Sequence, residues 1–102
     1  MDKNEVIVLV GKFAEAVSKE LNIKNVYLYG SYADGTAGVD SDIDVAVVID
    51  RLEGDILDIE SMLFRTRRSI DERIEPVLIN ERKDNSGFLE SIKRRGFAVY
   101  GN

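Results

Sequence analysis

Apolar residues stand at Val6, Val10, Phe13, Val17 and Leu21, an interval of three or four that keeps side chains on one face of an α-helix. The spacing predicts a helix over residues 5–21, with Asp2 or Asn4 as its N-cap. Within it, Val6-Ile7-Val8-Leu9-Val10 also reads as a buried strand, because these residue types favour extended backbone. The helical period continues to Leu21 and decides for helix. Ile7, Val8 and Leu9 then carry more apolar surface than one core-facing stripe needs, so the helix is either covered on two sides or offers part of itself to a partner.

The pattern then changes. Asn25–Tyr29 is a short strand ended by Gly30, and residues 30–41 hold three glycines, which predicts a turn, a short helix and a loop. From Asp42 to Asp50 the period is two, with Ile43, Val45, Val47 and Ile49 on one face and Asp42, Asp44, Ala46 and Val48 on the other. Its second half is apolar on both faces, so the strand belongs in the middle of a sheet. Ile56, Ile59, Leu63 and Ile70, flanked by Leu57 and Met62, predict a second long helix running to about Ser69. Arg73–Ile79 is a third strand, where Pro76 points to an edge or a bulge. Ser86 caps a helix carrying Phe88, Leu89 and Ile92, Gly96 stops it, and Phe97–Tyr100 is a last strand. This order predicts one α/β (α+β) domain over residues 1–102, a small sheet covered by helices.

Composition narrows the chemistry. The 102 residues include no Cys and no His, which excludes disulfides, thiolate metal sites, Ser-His pairs and imidazole acid–base chemistry. Catalysis would have to use carboxylates, hydroxyls, Lys, Arg or an oxygen-ligated metal. A net charge of −5 argues against a surface built to neutralise nucleic-acid phosphates. No apolar run is long enough to span a bilayer, and the first residues lack the pattern of a signal peptide, so the expected location is the cytoplasm, away from any membrane.

One constellation stands apart. Gly30-Ser31 directly follows a strand, ten residues intervene, and Asp42-x-Asp44 opens the next strand. Carboxylates two residues apart on a strand project from one face, about 6.6 Å apart along the backbone. Two bare anions that close repel, and a hard divalent cation such as Mg²⁺, which accepts one or two carboxylates plus water and phosphate oxygens, removes the conflict. Gly30 lets a phosphate approach the backbone, and a helix start at Ser31 aims N–H groups and a hydroxyl at it. Alone, an Asp-x-Asp is commonly a solvated turn and a Gly-Ser an ordinary helix start. Two neighbouring patterns fail: an EF-hand loop opening at Asp40 would have Val45 in place of its Gly and Arg51 in place of its Glu, and a P-loop opening at Gly30 would have Thr36 in place of its Lys.

Leu28-Tyr29-Gly30-Ser31-Tyr32-Ala33-Asp34-Gly35-Thr36-Ala37 followed by Ser41-Asp42-Ile43-Asp44-Val45-Ala46-Val47-Val48 resembles the signature of the minimal nucleotidyltransferase (MNT) domains of the DNA polymerase beta superfamily, antitoxin type. The resemblance covers essentially the whole chain. It implies the nucleotidyltransferase fold, a small mixed sheet flanked by helices. It also implies two Mg²⁺ ions, ATP or another nucleoside triphosphate as donor, and transfer of a nucleotidyl group, AMP in the leading case, to a hydroxyl. In many such proteins the acceptor is a tyrosine of a helical HEPN-type toxin. By the same resemblance Gly30 and Ser31 would hold the β- and γ-phosphates, and Asp42 and Asp44 the metals. A third carboxylate on a later strand would bind metal and take the acceptor's proton. Asp71, Glu72 and Glu75 are the candidates; Glu75 is favoured because it falls inside the predicted strand.

The sequence departs from the family pattern at Asp34, where a basic residue is usual. An acid there repels a triphosphate, so weak nucleotide binding is expected unless Arg65, Arg73, the Arg65-Thr66-Arg67-Arg68 or Lys93-Arg94-Arg95 run or a partner compensates, although charges near a helix C-terminus also stand there without any function. The alternative reading is therefore a catalytically weak or inactive subunit that neutralises its HEPN partner by binding alone. Self-association is a further option.

Overall fold

The computed structural model describes residues 1–101. Helix α1 spans Lys3–Ser18, strand β1 Asn25–Tyr29, helix α2 Ser31–Asp34, strand β2 Ile43–Ile49, helix α3 Ile56–Arg68, strand β3 Ile74–Asn80, helix α4 Phe88–Arg95 and strand β4 Phe97–Tyr100. A short 3-10 turn, Glu81–Lys83, follows β3.

The sheet order is β3-β2-β1-β4. Strand β1 runs antiparallel to β2 and to β4, whereas β2 and β3 are parallel. The sheet is therefore mixed, and α3 is the crossover that parallel neighbours require. Strand β2 lies inside the sheet, as its two-sided apolar pattern predicts. Pro76 lies in β3 at the edge, in unbroken register with Val45, so its missing N–H is tolerated by edge position and no bulge is needed.

Period-two alternation sends the two faces of β2 into separate cores. On one face Ile43, Val45 and Val47 pack with Val26 and Leu28 of β1, with Val6, Val10, Phe13, Ala14 and Val17 of α1, and with Met62 and Leu63 of α3. On the other, Ala46 and Val48 pack with Tyr27, Ile79 and the α4 residues Leu89 and Ile92. Asp44 shares this second face by the same alternation, and Asp42 stands one residue before β2 begins.

Helix α1 starts two residues earlier than its pattern suggests, because Asp2 accepts a hydrogen bond from the Glu5 amide at 2.9 Å. It ends at Ser18, so Leu21 packs on the core from the following turn. Ile7 and Leu9 are half-buried against the core, and Val8 remains exposed. The apolar excess of this helix is thus mostly covered within the fold. In α3 the buried set is Ile59, Met62 and Leu63, while Ile56 and Leu57 at the first turn are exposed.

The α4 cap is Gly87, in the left-handed conformation. Ser86 stands one residue outside it and accepts from the Phe88 amide at 3.2 Å, while Asp84 accepts from the Leu89 amide at 3.1 Å. At the other end of α4, a Cβ on Gly96 would lie 2.6 Å from the Leu28 carbonyl oxygen and 2.8 Å from that of Ile92. Glycine is required there for α4 to turn into β4 flush against β1. That close approach carries α4 alongside the end of β1 where Gly30 and Asp44 meet.

Candidate active site

The glycine after β1 has φ 74° and ψ −150°, a conformation that side-chain-bearing residues avoid. A Cβ at Gly30 would overlap Asp44 Oδ2 and come within 3.0 Å of its Cγ. The Asp44 carboxylate therefore lies directly over the Gly30 backbone, and the two halves of the sequence signature are in van der Waals contact. Beyond the glycine, the Ala33 and Asp34 amides donate to the Gly30 carbonyl at 3.1 and 3.0 Å. The helical bonding of α2 starts with them, so the Ser31 and Tyr32 amides lie ahead of it.

Register builds a row across three strands. Tyr29 of β1 pairs with Asp44 of β2, and Asp44 pairs with Glu75 of β3. Paired residues on neighbouring strands point to the same face at about 4.8 Å strand spacing, so a phenol and two carboxylates stand side by side. Asp42 sits one side-chain position along β2 from Asp44 and is exposed. Burial, then the charges of Asp42 and Glu75, push the Asp44 carboxyl above the usual carboxylate range. Burial and the neighbouring Asp44 likewise push the Tyr29 phenol up.

Glu75 has a partner that the sequence does not advertise. Arg67, in the last turn of α3, donates through Nη1 to Glu75 Oε1 at 3.0 Å and to the Ile74 carbonyl at 2.9 Å. Its guanidinium lies 4.7 Å from the centre of the Phe64 ring. The other two carboxylate candidates lie elsewhere. Asp71 is held by Arg73, which donates to its two oxygens at 3.0 and 2.7 Å, and Glu72 is exposed in the turn before β3. Hydrogen bonding to Arg73 lowers the Asp71 pKa.

The donors suit a hard divalent cation. They are carboxylate oxygens, and the like-charge crowding around Asp44 is a deficit that a cation relieves. Among the described residues no three acidic side chains converge on one point. Asp42 and Asp44 are the pair that could hold such an ion, with water and phosphate oxygens as its further ligands, while one Glu75 oxygen is bonded to Arg67.

Beside this row a cleft of about 200 Å³ opens between the Gly30 turn and α4, lined by Tyr29, Gly30 and Asp34 and by Phe88, Ser91, Ile92 and Arg95 of the helix. The Tyr29 and Phe88 rings meet edge to face at 5.6 Å. Asp34, on the cleft's other wall, accepts from the Thr36 hydroxyl at 2.6 Å and from the Thr36 amide at 3.0 Å. These bonds lower its pKa and keep it ionised. Of the basic residues considered as compensation, Arg73 is committed to Asp71, and Arg65 borders a different depression with Glu20, Asp55 and Asp58.

Sequence reasoning gives Tyr29 no chemical role, and it brings in Arg67 only within the Arg65-Thr66-Arg67-Arg68 run as a counter-charge to Asp34, not as the partner of Glu75. Tyr29 reads as a core or rim aromatic, and Arg67 as one of several charges near a helix C-terminus. The available signal was the antiparallel register, which sets Tyr29 opposite Asp44, but that register emerges only on pairing.

Comparison with known proteins adds a family. The family described as Polymerase beta, Nucleotidyltransferase matches residues 11–102. A search of curated proteins returns no significant match. Among solved structures, a protein of Sulfolobus solfataricus assigned as a nucleotidyltransferase superposes with a TM-score of 0.71 at 20% identity, covering 98% of this chain and 84% of that one. A toxin–antitoxin complex with AMP-PNP aligns with a TM-score of 0.60 at 22% identity, over 100% of this chain and 75% of the other. A Shewanella oneidensis complex of a tri-AMPylated HEPN toxin with its MNT antitoxin aligns with a TM-score of 0.61 at 19% identity, over 98% and 73%. At these identities the likeness is one of fold.

Proposed function

We propose, from the premise that this chain belongs to the polymerase beta nucleotidyltransferase family, that it is an MNT-type antitoxin that transfers AMP from ATP, with Mg²⁺, to a tyrosine hydroxyl of a HEPN-type partner. The observation that carries the reading is the contact between Asp44 and the Gly30 backbone, which unites the phosphate-approach turn with the carboxylate pair. The AMP-PNP complex and the AMPylated HEPN toxin among the structural neighbours support nucleotide and partner.

In this reading Gly30 admits the triphosphate against the backbone, and Ser31 offers its amide and hydroxyl to the outer phosphates. Asp42 and Asp44 would hold Mg²⁺, which when bound would supply charge neutralisation for the leaving pyrophosphate and a lower pKa for the acceptor hydroxyl. Glu75 accepts the acceptor's proton through the oxygen that Arg67 leaves free. Attack of the tyrosine oxygen on the α-phosphorus forms the new phosphoester bond and breaks the bond to pyrophosphate. The test is incubation of the chain with its HEPN-type partner, ATP and Mg²⁺. A covalent AMP adduct on the partner by mass spectrometry, lost in Asp42→Ala and Asp44→Ala, supports the reading, and absence of any adduct sinks it.

Two observations favour a second reading, a subunit that neutralises its partner by contact alone. Asp34 places a negative charge on the cleft, and Arg67 occupies one oxygen of Glu75. Under this reading Asp42→Ala still neutralises the partner. The contact variant belongs at exposed Val8, as Val8→Glu, because Ile7 and Leu9 pack on the core and charges there would injure the fold.

A further inference from the structure

The cleft between the Gly30 turn and α4 is walled on the helix side by one face. Phe88, Ser91, Ile92 and Arg95 follow at intervals of three, one and three, the spacing that aligns side chains along a single stripe. Ile92, 3% exposed, anchors that stripe in the smaller core and so fixes which way the rest of it faces. Arg95 stands at its end, across from Gly30 and Asp34.

Four neighbouring cations have other engagements, and Arg94, exposed and also without an ion pair among the described residues, does not line the cleft. Arg67 is bonded to Glu75, Arg73 to Asp71, and Lys93, two residues before Arg95, lies 3.5 Å from Glu81. Lys3 is seated over the Phe97 ring at 3.7 Å. Arg95 is exposed, and among the described residues it has no ion pair, even though the ionised Asp34 borders the same cleft. Asp34 Oδ1 accepts from the Thr36 amide and hydroxyl instead. A cleft with an unpaired guanidinium on the α4 wall and, on the other, a glycine whose backbone the Asp44 carboxylate touches is asymmetric in charge. It suits a polyanion that reaches Arg95 on one side and a cation at Asp44 on the other.

We propose that Arg95 binds the outer phosphates of the nucleoside triphosphate, and that this α4 side chain supplies the positive charge that Asp34 withholds. The proposal rests on the nucleotidyltransferase reading and adds a residue to it. A planar guanidinium makes two parallel hydrogen bonds to phosphate oxygens, and with a dianionic terminal phosphate these are charge-assisted. Arg95 therefore discriminates by phosphate number, holding ATP over ADP and ADP over AMP.

Isothermal titration of the full chain with ATP, ADP and AMP in Mg²⁺ tests this, using wild type, Arg95→Gln, Arg95→Lys and Asp44→Ala. Arg95→Gln is expected to weaken ATP about tenfold while changing AMP less than about twofold, and Arg95→Lys to recover part of the loss. Because Arg95 is exposed, the variants should melt at the wild-type temperature. Arg95→Gln that binds ATP as wild type does, or loses ATP and AMP equally, overturns the proposal. In that event Mg²⁺-dependent ATP binding by wild type that Asp44→Ala abolishes leaves the broader reading standing. A wild-type chain that binds no ATP overturns both.

Discussion

The carboxylate of Asp44 rests on the bare backbone of Gly30, and this contact makes two residues unusually intolerant of change. A methyl group at residue 30 collides with Oδ2, and the positive φ adds strain whatever the space. Gly30→Ala is expected to destabilise the chain by about 1–3 kcal/mol and to remove Mg²⁺-dependent nucleotide binding, read by urea denaturation and by titration with ATP. Asp44 itself is held against its preference, since burial, Asp42 and Glu75 all disfavour its charged form. Asp44→Asn in metal-free buffer near neutral pH should therefore raise the melting temperature while nucleotide binding is lost. A lower melting temperature would show that the carboxylate stabilises the empty fold. That pair of outcomes would show function and stability pulling in opposite directions at this position, as is common where like charges are gathered for a ligand.

At the scale of elements, the site depends on how β3 is introduced and tied. Asp71 accepts from the Arg73 amide at 2.9 Å and from its guanidinium, closing the turn that leads into β3. Its pKa is lowered in the folded chain, so the unfolded chain binds the proton more readily. The stability this contributes is present above the ordinary carboxylate pKa of about 3.9 and is lost as pH falls through the lower folded value. Asp71→Asn should flatten the acid limb of a stability–pH curve below about pH 4, and an unchanged limb would count against the assignment. From the other side, Arg67 of α3 binds both the Ile74 carbonyl and Glu75, joining the crossover helix to the strand that brings Glu75 into register with Asp44.

For the whole molecule, the two faces of the sheet have different duties. The α1–α3 face holds the larger apolar cluster, including Phe13, fully buried, whereas α4 covers the other face with Leu89 and Ile92 and leaves the carboxylate end open. Phe13→Ala should cost about 3–5 kcal/mol, a large share of a small domain's stability, and Leu89→Ala about 2 kcal/mol. The second variant keeps the fold and weakens nucleotide binding through the cleft. Equal losses in urea unfolding, or a Leu89→Ala chain with intact nucleotide affinity, would contradict this division. Among the described residues no helix is long and apolar enough to cross a membrane.

Much of this was legible along the chain because it is local. Strands Asn25–Tyr29 and Phe97–Tyr100 stand where their alternation and bounding glycines put them, and the same-face projection of Asp42 and Asp44 follows from a period of two. The spacing from Gly30-Ser31 to Asp42-x-Asp44 was enough to indicate the family. The pairing of strands was not local. That Tyr29 stands beside Asp44, that Glu75 and not Asp71 or Glu72 completes the row, that Arg67 of α3 bonds Glu75 and that Arg95 of α4 lines the cleft depend on register and packing between segments far apart in sequence. Periodicity decides which way a side chain faces within its own element. Only the closing of the sheet, with α4 turned in at Gly96, decides what it faces.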